Sequence, residues 1–177
     1  NLPDIPYLME EFIEGSICSY DGVSGPNCEI LFESSNLFPP SIMDIVNNKN
    51  HLSYCTLNHV PETLSKIGHR VIEAFSAKNR FFHLEFFKLT KEKPGLGKVG
   101  DYVALEVNMR PAGGYTPDMI NFANSVDIYQ IWADMVAFGE CHVDLTKPHY
   151  YAVYASRRDE KQYLHSHEEI LERYGAA

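Results

Sequence analysis

Glu85, Glu106, Asn108 and Arg110 are the residues of this chain whose types and spacing suit joint chemistry. Three of them alternate in Leu105-Glu106-Val107-Asn108-Met109-Arg110-Pro111-Ala112-Gly113-Gly114, and Glu85 lies upstream in Phe81-Phe82-His83-Leu84-Glu85-Phe86-Phe87. Two carboxylates and an amide oxygen make a hard, all-oxygen, incomplete donor set, which suits Mg²⁺ when phosphate oxygens and water complete its shell. Arg110 adds a forked cation suited to a phosphoryl or carboxylate group.

The elements that must position these groups are two strands. From Tyr102 to Arg110 the residues alternate, with Val103, Leu105, Val107 and Met109 on an apolar face and Tyr102, Ala104, Glu106, Asn108 and Arg110 on the other. Arg80 to Lys88 is rich in aromatic residues and also reads as a strand, with His83 and Glu85 on one face. His83, between aromatic residues, reads as a structural or supporting histidine. The polar stretch from Thr90 to Gly100, with one Pro and three Gly, reads as a hairpin connection. A turn centred between Gly95 and Leu96 puts Glu85 opposite Glu106, and like charges facing each other across a ladder destabilise it unless a cation lies between them. Past the strand, Gly113 and Gly114 let backbone approach a ligand, Thr116 can cap a helix and Pro117 can take its first position. A glycine turn leading into a helix N-terminus suits an anion.

Composition sets bounds. A chain of 177 residues, 45% hydrophobic and 22% charged, is the size and make-up of one globular domain. The net charge of −9 disfavours a nucleic-acid footprint. Cys18, Cys28, Cys55 and Cys141 form no C-x-x-C pair, so neither zinc nor a disulfide framework is expected and a cytoplasmic setting is the default. No apolar run is long enough to span a membrane.

Along the chain, Tyr7 to Gly15 reads as a strand running to a turn, and Ser16 to Val23 as a returning strand that turns at Asp21-Gly22. Asn27 to Glu33 and His51 to Leu57 read as further strands, and Asn36 to Asn50 as a polar, proline-bearing loop with a short helix after Pro40. Pro61 to Ala77 is an amphipathic helix carrying Leu64, Ile67, Val71, Ile72 and Phe75, with His69 and Arg70 at its surface. Pro117 to Phe122 starts another helix. Ser125 is expected to cap a third, with Ile128, Ile131, Trp132, Met135 and Val136 buried and Gly139 ending it. Tyr150 to Ser156 reads as an added strand, and Ser166 caps a last helix ahead of Glu168 and Glu169. The sum is an α+β domain, a largely antiparallel sheet with helices packed on one face.

The pairing of His-Leu-Glu-Phe-Phe with Leu-Glu-Val-Asn-Met-Arg-Pro-Ala-Gly-Gly resembles the C-terminal half of the ATP-grasp fold, and most of all ATP-dependent carboxylate–amine ligases such as the L-amino acid ligases. The resemblance implies that Glu85, Glu106 and Asn108 hold Mg²⁺ (or Mn²⁺) on the triphosphate and that Arg110 faces the transferred phosphate or substrate carboxylate. It further implies that residues at about 7–15 are the hinge against which adenine lies. There Glu10, Glu11, Phe12 and Ile13 would contact ATP, through the carbonyl at Glu10 and the amide at Ile13. Ser16 and Ile17 stand where relatives place an acid for the ribose, with Glu14 or Glu11 as substitutes.

On that resemblance the chain, 1–177, is expected to be a single-domain fragment, the nucleotide and metal half of a longer ligase and inactive by itself. Its partners would be ATP, a small carboxylate and an amine or other nucleophile, without nucleic acid or membrane. A homodimer is left open. A non-catalytic ATP-binding module and carboxylase or carbamoyl-phosphate chemistry on the same fold are the alternatives.

Overall fold

A computed structural model describes residues 6–39, 49 and 51–175. The loop expected from 36 to 50 falls mostly outside these residues, although its first three positions complete a strand. Six strands are described: β1 Gly15–Ser24, β2 Ile30–Phe38, β3 Ser53–Thr56, β4 Arg80–Leu89, β5 Tyr102–Asn108 and β6 Ala152–Ala155. Their order is β5-β4-β1-β2-β3-β6, and every neighbouring pair is antiparallel. The helices are α1 Glu62–Ala74, α2 Thr116–Asn124, α3 Ile128–Phe138 and α4 His167–Tyr174. The fold class is therefore α+β.

Register divides the sheet's residues into two faces. Cys18 and Tyr20 of β1 pair with Phe86 and Leu84 of β4, and Gly22 with Phe82; this face packs against Leu64 and Ile72 of α1. Fully burying each such aliphatic side chain contributes about 1.5–3 kcal/mol. The opposite face carries Val23, Phe32 and Phe81 at one end, covered by Ile120 of α2 and by Ile128, Ile131 and Met135 of α3. Helices thus pack on both faces, not one, because apolar patches alternate on both sides of the central strands. Trp132 and Val136 of α3 remain 40% and 60% exposed, with Trp132 stacked on Phe81 at 6.0 Å between centroids.

Three local expectations are corrected by longer-range bonding. Asp21 and Gly22 lie in the middle of β1, not in a turn. The chain turns instead at Gly25 to Cys28, where the Gly25 amide donates to the Glu29 carbonyl at 2.8 Å. Thr116 does not cap α2: Tyr115 is the N-cap and Pro117 the second helical residue, while the Thr116 hydroxyl lies 3.0 Å from that of Tyr54. Ser125 does not cap α3 either; its hydroxyl donates to the Pro148 carbonyl at 2.7 Å, and Asp127 accepts from the Tyr129 and Gln130 amides. The capping box of Ser166 and Glu169 at α4 is present.

Residues 6–14 form no strand. Tyr7, Leu8, Met9 and Phe12 are exposed. Their end is tied instead to the β4–β5 hairpin. Lys93 Nζ donates to the Phe12 carbonyl at 2.6 Å and pairs with Glu11 at 2.8 Å, and Lys91 pairs with Glu14. A cavity of about 260 Å³ lies there, walled by Phe12, Glu14, Leu89, Lys91, Glu92 and Lys93.

Cys18 is buried in the α1-side core, and loss of solvent pushes its thiol up to about 12 despite the nearby Lys88. A thiolate-directed reagent at neutral pH is expected to spare Cys18 until denaturant is added, and mass mapping of labelled peptides checks this. Labelling of native protein at Cys18 as fast as at half-buried Cys28 or Cys141 would contradict the packing.

Candidate metal and nucleotide site

The hairpin turn is centred on Gly95, not between Gly95 and Leu96. Lys93 bridges Gly97, the Leu96 amide donates to the Lys93 carbonyl at 3.0 Å, and Gly95 takes a φ of 83° that a side chain would resist. The ladder from Lys88↔Tyr102 through Phe86↔Ala104 follows that centre. A bulge then drops Leu105 out of the pairing, and Glu85 faces Glu106, with His83 facing Asn108. Without the bulge Glu85 would have faced Leu105. The opposition of the two acids is as the sequence predicts, but it arises from two departures that cancel.

The bulge also corrects the expected alternation. Tyr102, Val107 and Met109 pack toward the α1-side core, and Val103, paired with Phe87, lies on the face of Glu106 and Asn108. Bulges re-aim side chains in this way next to functional sites.

Glu85 and Glu106 differ in surroundings. Glu106 is exposed, whereas the Glu85 side chain is 17% exposed and its Oε1 lies 3.2 Å from His83 Nε2. His83 Nδ1 lies 2.6 Å from Asp21 Oδ1, and Asp21 is 2% exposed. Burial pulls the imidazole's pKa down, but hydrogen bonds to Asp21 and then Glu85, reinforced by their charges, outweigh it and raise it to about 10. Both ring nitrogens face carboxylates, so both donate.

Asp21 continues the chain. Its Oδ2 accepts from Ser19 Oγ at 2.5 Å and from Asn36 Nδ2 at 2.9 Å, and Asn36 Oδ1 accepts from Thr56 Oγ1 at 2.5 Å. Sequence reading missed Asp21, Asn36 and Thr56. The available signal was the alternation of Ser19 and Asp21 with Cys18 and Tyr20 in β1, hidden because Asp-Gly reads locally as a turn.

The Asn108 side-chain nitrogen is buried without a hydrogen-bond partner among the described residues. Unsatisfied buried polar atoms are uncommon and call for an explanation such as a ligand. No group of three or more His, Cys, Asp or Glu among the described residues forms a complete metal cage. Two carboxylates and one amide fit Mg²⁺ whose shell phosphate oxygens and water complete. Arg110 is exposed beyond β5, donating from Nη1 to the Pro111 carbonyl at 2.9 Å, and no contact joins it to the carboxylates. Pro111 and Ala112 share a small crevice with Asp21 and Gly22, while Gly113 and Gly114 have open space where a side chain would stand.

No protein-family model matches the chain, and no curated protein matches it. Solved structures do. Phosphoribosylglycinamide synthetase from Anaerococcus prevotii is 14% identical with a TM-score of 0.59, covering 81% of this chain and 35% of that one. The biotin carboxylase domain of a thermophilic 2-oxoglutarate carboxylase, in a structure bound to bicarbonate, is 14% identical with a TM-score of 0.54, covering 81% and 30%. Pyruvate carboxylase from Rhizobium etli is 11% identical with a TM-score of 0.53, covering 85% and 15%. The relationship is one of fold: the chain has an α+β fold shared with ATP-grasp proteins and spans about a third or less of the length of these structures. No helix among the described residues is long and apolar enough to cross a membrane.

Proposed function

We propose that this chain is the Mg-ATP-binding part of an ATP-dependent carboxylate–amine ligase acting through an acylphosphate. The observation that carries the reading is the opposition of Glu85 and Glu106 on one sheet face, with Asn108 two pairs further along the ladder on the same face. Directly opposed acids repel, and a divalent cation on the triphosphate supplies the missing charge. Glu85, Glu106 and Asn108 would hold it.

The amide of Thr90 meets the Glu14 carbonyl at 3.4 Å, five positions along from Glu85, and at the rise of a strand that is about 16 Å. An extended nucleoside triphosphate spans such a distance, with its base against Glu10, Glu11, Phe12 and Ile13 and its phosphates at the acids. Lys91 and Lys93, absent from the sequence reading of the site, flank the base end.

In the reaction a substrate carboxylate oxygen attacks the γ-phosphorus, the bond to the bridging oxygen breaks, and ADP leaves. The amine then attacks the acyl carbon, phosphate departs and the nitrogen loses a proton. Such transfer depends on positioning and charge stabilisation. Arg110 would swing from Pro111 onto the phosphoryl or acylphosphate, and the Gly113-Gly114 backbone would approach the substrate. The likeness to biotin carboxylase domains favours one second reading, a carboxylase-like use of the same site; bicarbonate-dependent ATP hydrolysis separates the two.

Calorimetric titration of ATP into the full-length protein, with and without Mg²⁺, tests the proposal. Binding is expected to require Mg²⁺, and Glu106→Gln is expected to weaken it by about 100-fold, the upper range for disturbing a metal's surroundings. Mg²⁺-independent binding, or binding indifferent to Glu106, would overturn the reading.

A further inference from the structure

Resting on the cation site proposed above, we infer that Asp21 and His83 are a positioning pair for Glu85: they fix its Oε1 so that Oε2 is presented to the cation. Four adjacent strands contribute to the device. His83 and Glu85 come from β4, Asp21 and Ser19 from β1, Asn36 from β2 and Thr56 from β3, and register sets His83 beside Asp21, Glu85 beside Ser19, and Asn36 beside both Ser19 and Thr56. Asp21, Asn36 and Thr56 are at most 2% exposed. Each is held by hydrogen bonds to the next, so the imidazole has little freedom to rotate.

A purely structural ion pair needs only Asp21 and one ring nitrogen. Here the second nitrogen points the other way, to Glu85 Oε1, the member of the chain that faces Glu106. The buried network therefore ends at the cation site, and its geometry transmits the fixed position of Asp21 to the half-buried Glu85 side chain. Hydrogen-bonded partners of this kind orient metal-ligating groups and influence affinity.

Mn²⁺ is the probe, its free concentration read by electron paramagnetic resonance during titration into the full-length protein saturated with a non-hydrolysable ATP analogue. Asp21→Asn and His83→Ala are expected to weaken Mn²⁺ binding by about 10- to 100-fold. His83→Gln, whose amide can still donate to Glu85, recovers part of that loss. Ile72→Val, in the core on the other face of the sheet, lowers the melting temperature but leaves Mn²⁺ affinity unchanged, which separates positioning from stability. If Asp21→Asn does not fold, the ordering of His83→Gln and His83→Ala decides. Loss of Mn²⁺ binding in Glu106→Gln together with wild-type affinity in the Asp21 and His83 variants would overturn the positioning role alone. Wild-type affinity in Glu106→Gln would overturn the cation site itself.

Discussion

Gly22→Ala is expected to lower the melting temperature by about 6–12 °C or more, taking about 3 kcal/mol of overpacking and a slope of about 2–4 °C per kcal/mol for a domain of this size. A Cβ at position 22 would stand 2.0 Å from the Phe32 carbonyl oxygen and 2.6 Å from Phe82 Cζ. Real Cβ atoms do not approach so closely, so something must move. The oxygen belongs to the backbone of β2 and cannot rotate away. The Phe82 ring is stacked on Tyr20 at 5.1 Å, in a core closed by α1. Both escapes require a strand or a packed ring to shift, which is why the loss belongs at or above the top of the ordinary overpacking range. Thermal unfolding followed by circular dichroism checks this. A variant melting within a degree of wild type would mean that β1 and β2 are not held at this spacing.

His83→Leu is expected to cost about 3–5 kcal/mol, the range for removing one partner of a buried ion pair, and to change how stability depends on pH. The substitution strands Asp21, 2% exposed, with only Ser19 and Asn36 as donors. The sign of the pH effect follows from the direction of the shift. His83 titrates near 6.5 unfolded and near 10 folded, so the folded state binds the extra proton between these values. Its contribution is fully present below about pH 6.5 and is lost as pH rises through about 10. Urea midpoints measured from pH 6 to 10 are therefore expected to fall more steeply for wild type than for His83→Leu. Parallel slopes would show that His83 is not held between two carboxylates.

Much of the candidate site was legible in the sequence because its signals are short-range. Alternation marked Glu106 and Asn108 as facing one way, the run from Phe81 to Phe87 marked a strand, and a Gly- and Pro-bearing connector marked a hairpin. The opposition of Glu85 and Glu106 could be counted from these alone, yet the count succeeded only because the bulge at Leu105 offset a turn centred half a residue earlier than expected. A bulge has no local sequence mark here; it arises where β5 packs Tyr102 on one side of the slip and Val107 and Met109 on the other into the same core.

The hydroxyls of Thr116 and Ser125 looked like helix caps because capping is what Ser and Thr do when left to local partners. Tyr54 and the Pro148 carbonyl, both distant in sequence, took them instead. Asp21-Gly22 failed for the same reason: as a dipeptide it favours a turn, but the carboxylate finds His83 across the sheet and the glycine admits the Phe82 ring.

The sequence by itself determined the helices with a continuous apolar stripe, the hairpin, and the placing of Glu106 and Asn108 on one face of their strand, since each depends on a repeat or a turn within one stretch of chain; the bulge that brings Glu85 opposite Glu106 does not. Tertiary structure decided the strand order, the covering of both faces by helices, and the buried path from Thr56 through Asn36, Asp21 and His83 to Glu85. Those residues are spread over four strands, and a buried polar group takes whichever partner the register places within reach, because leaving it unpaired in a low-dielectric interior costs more than giving up its local preference.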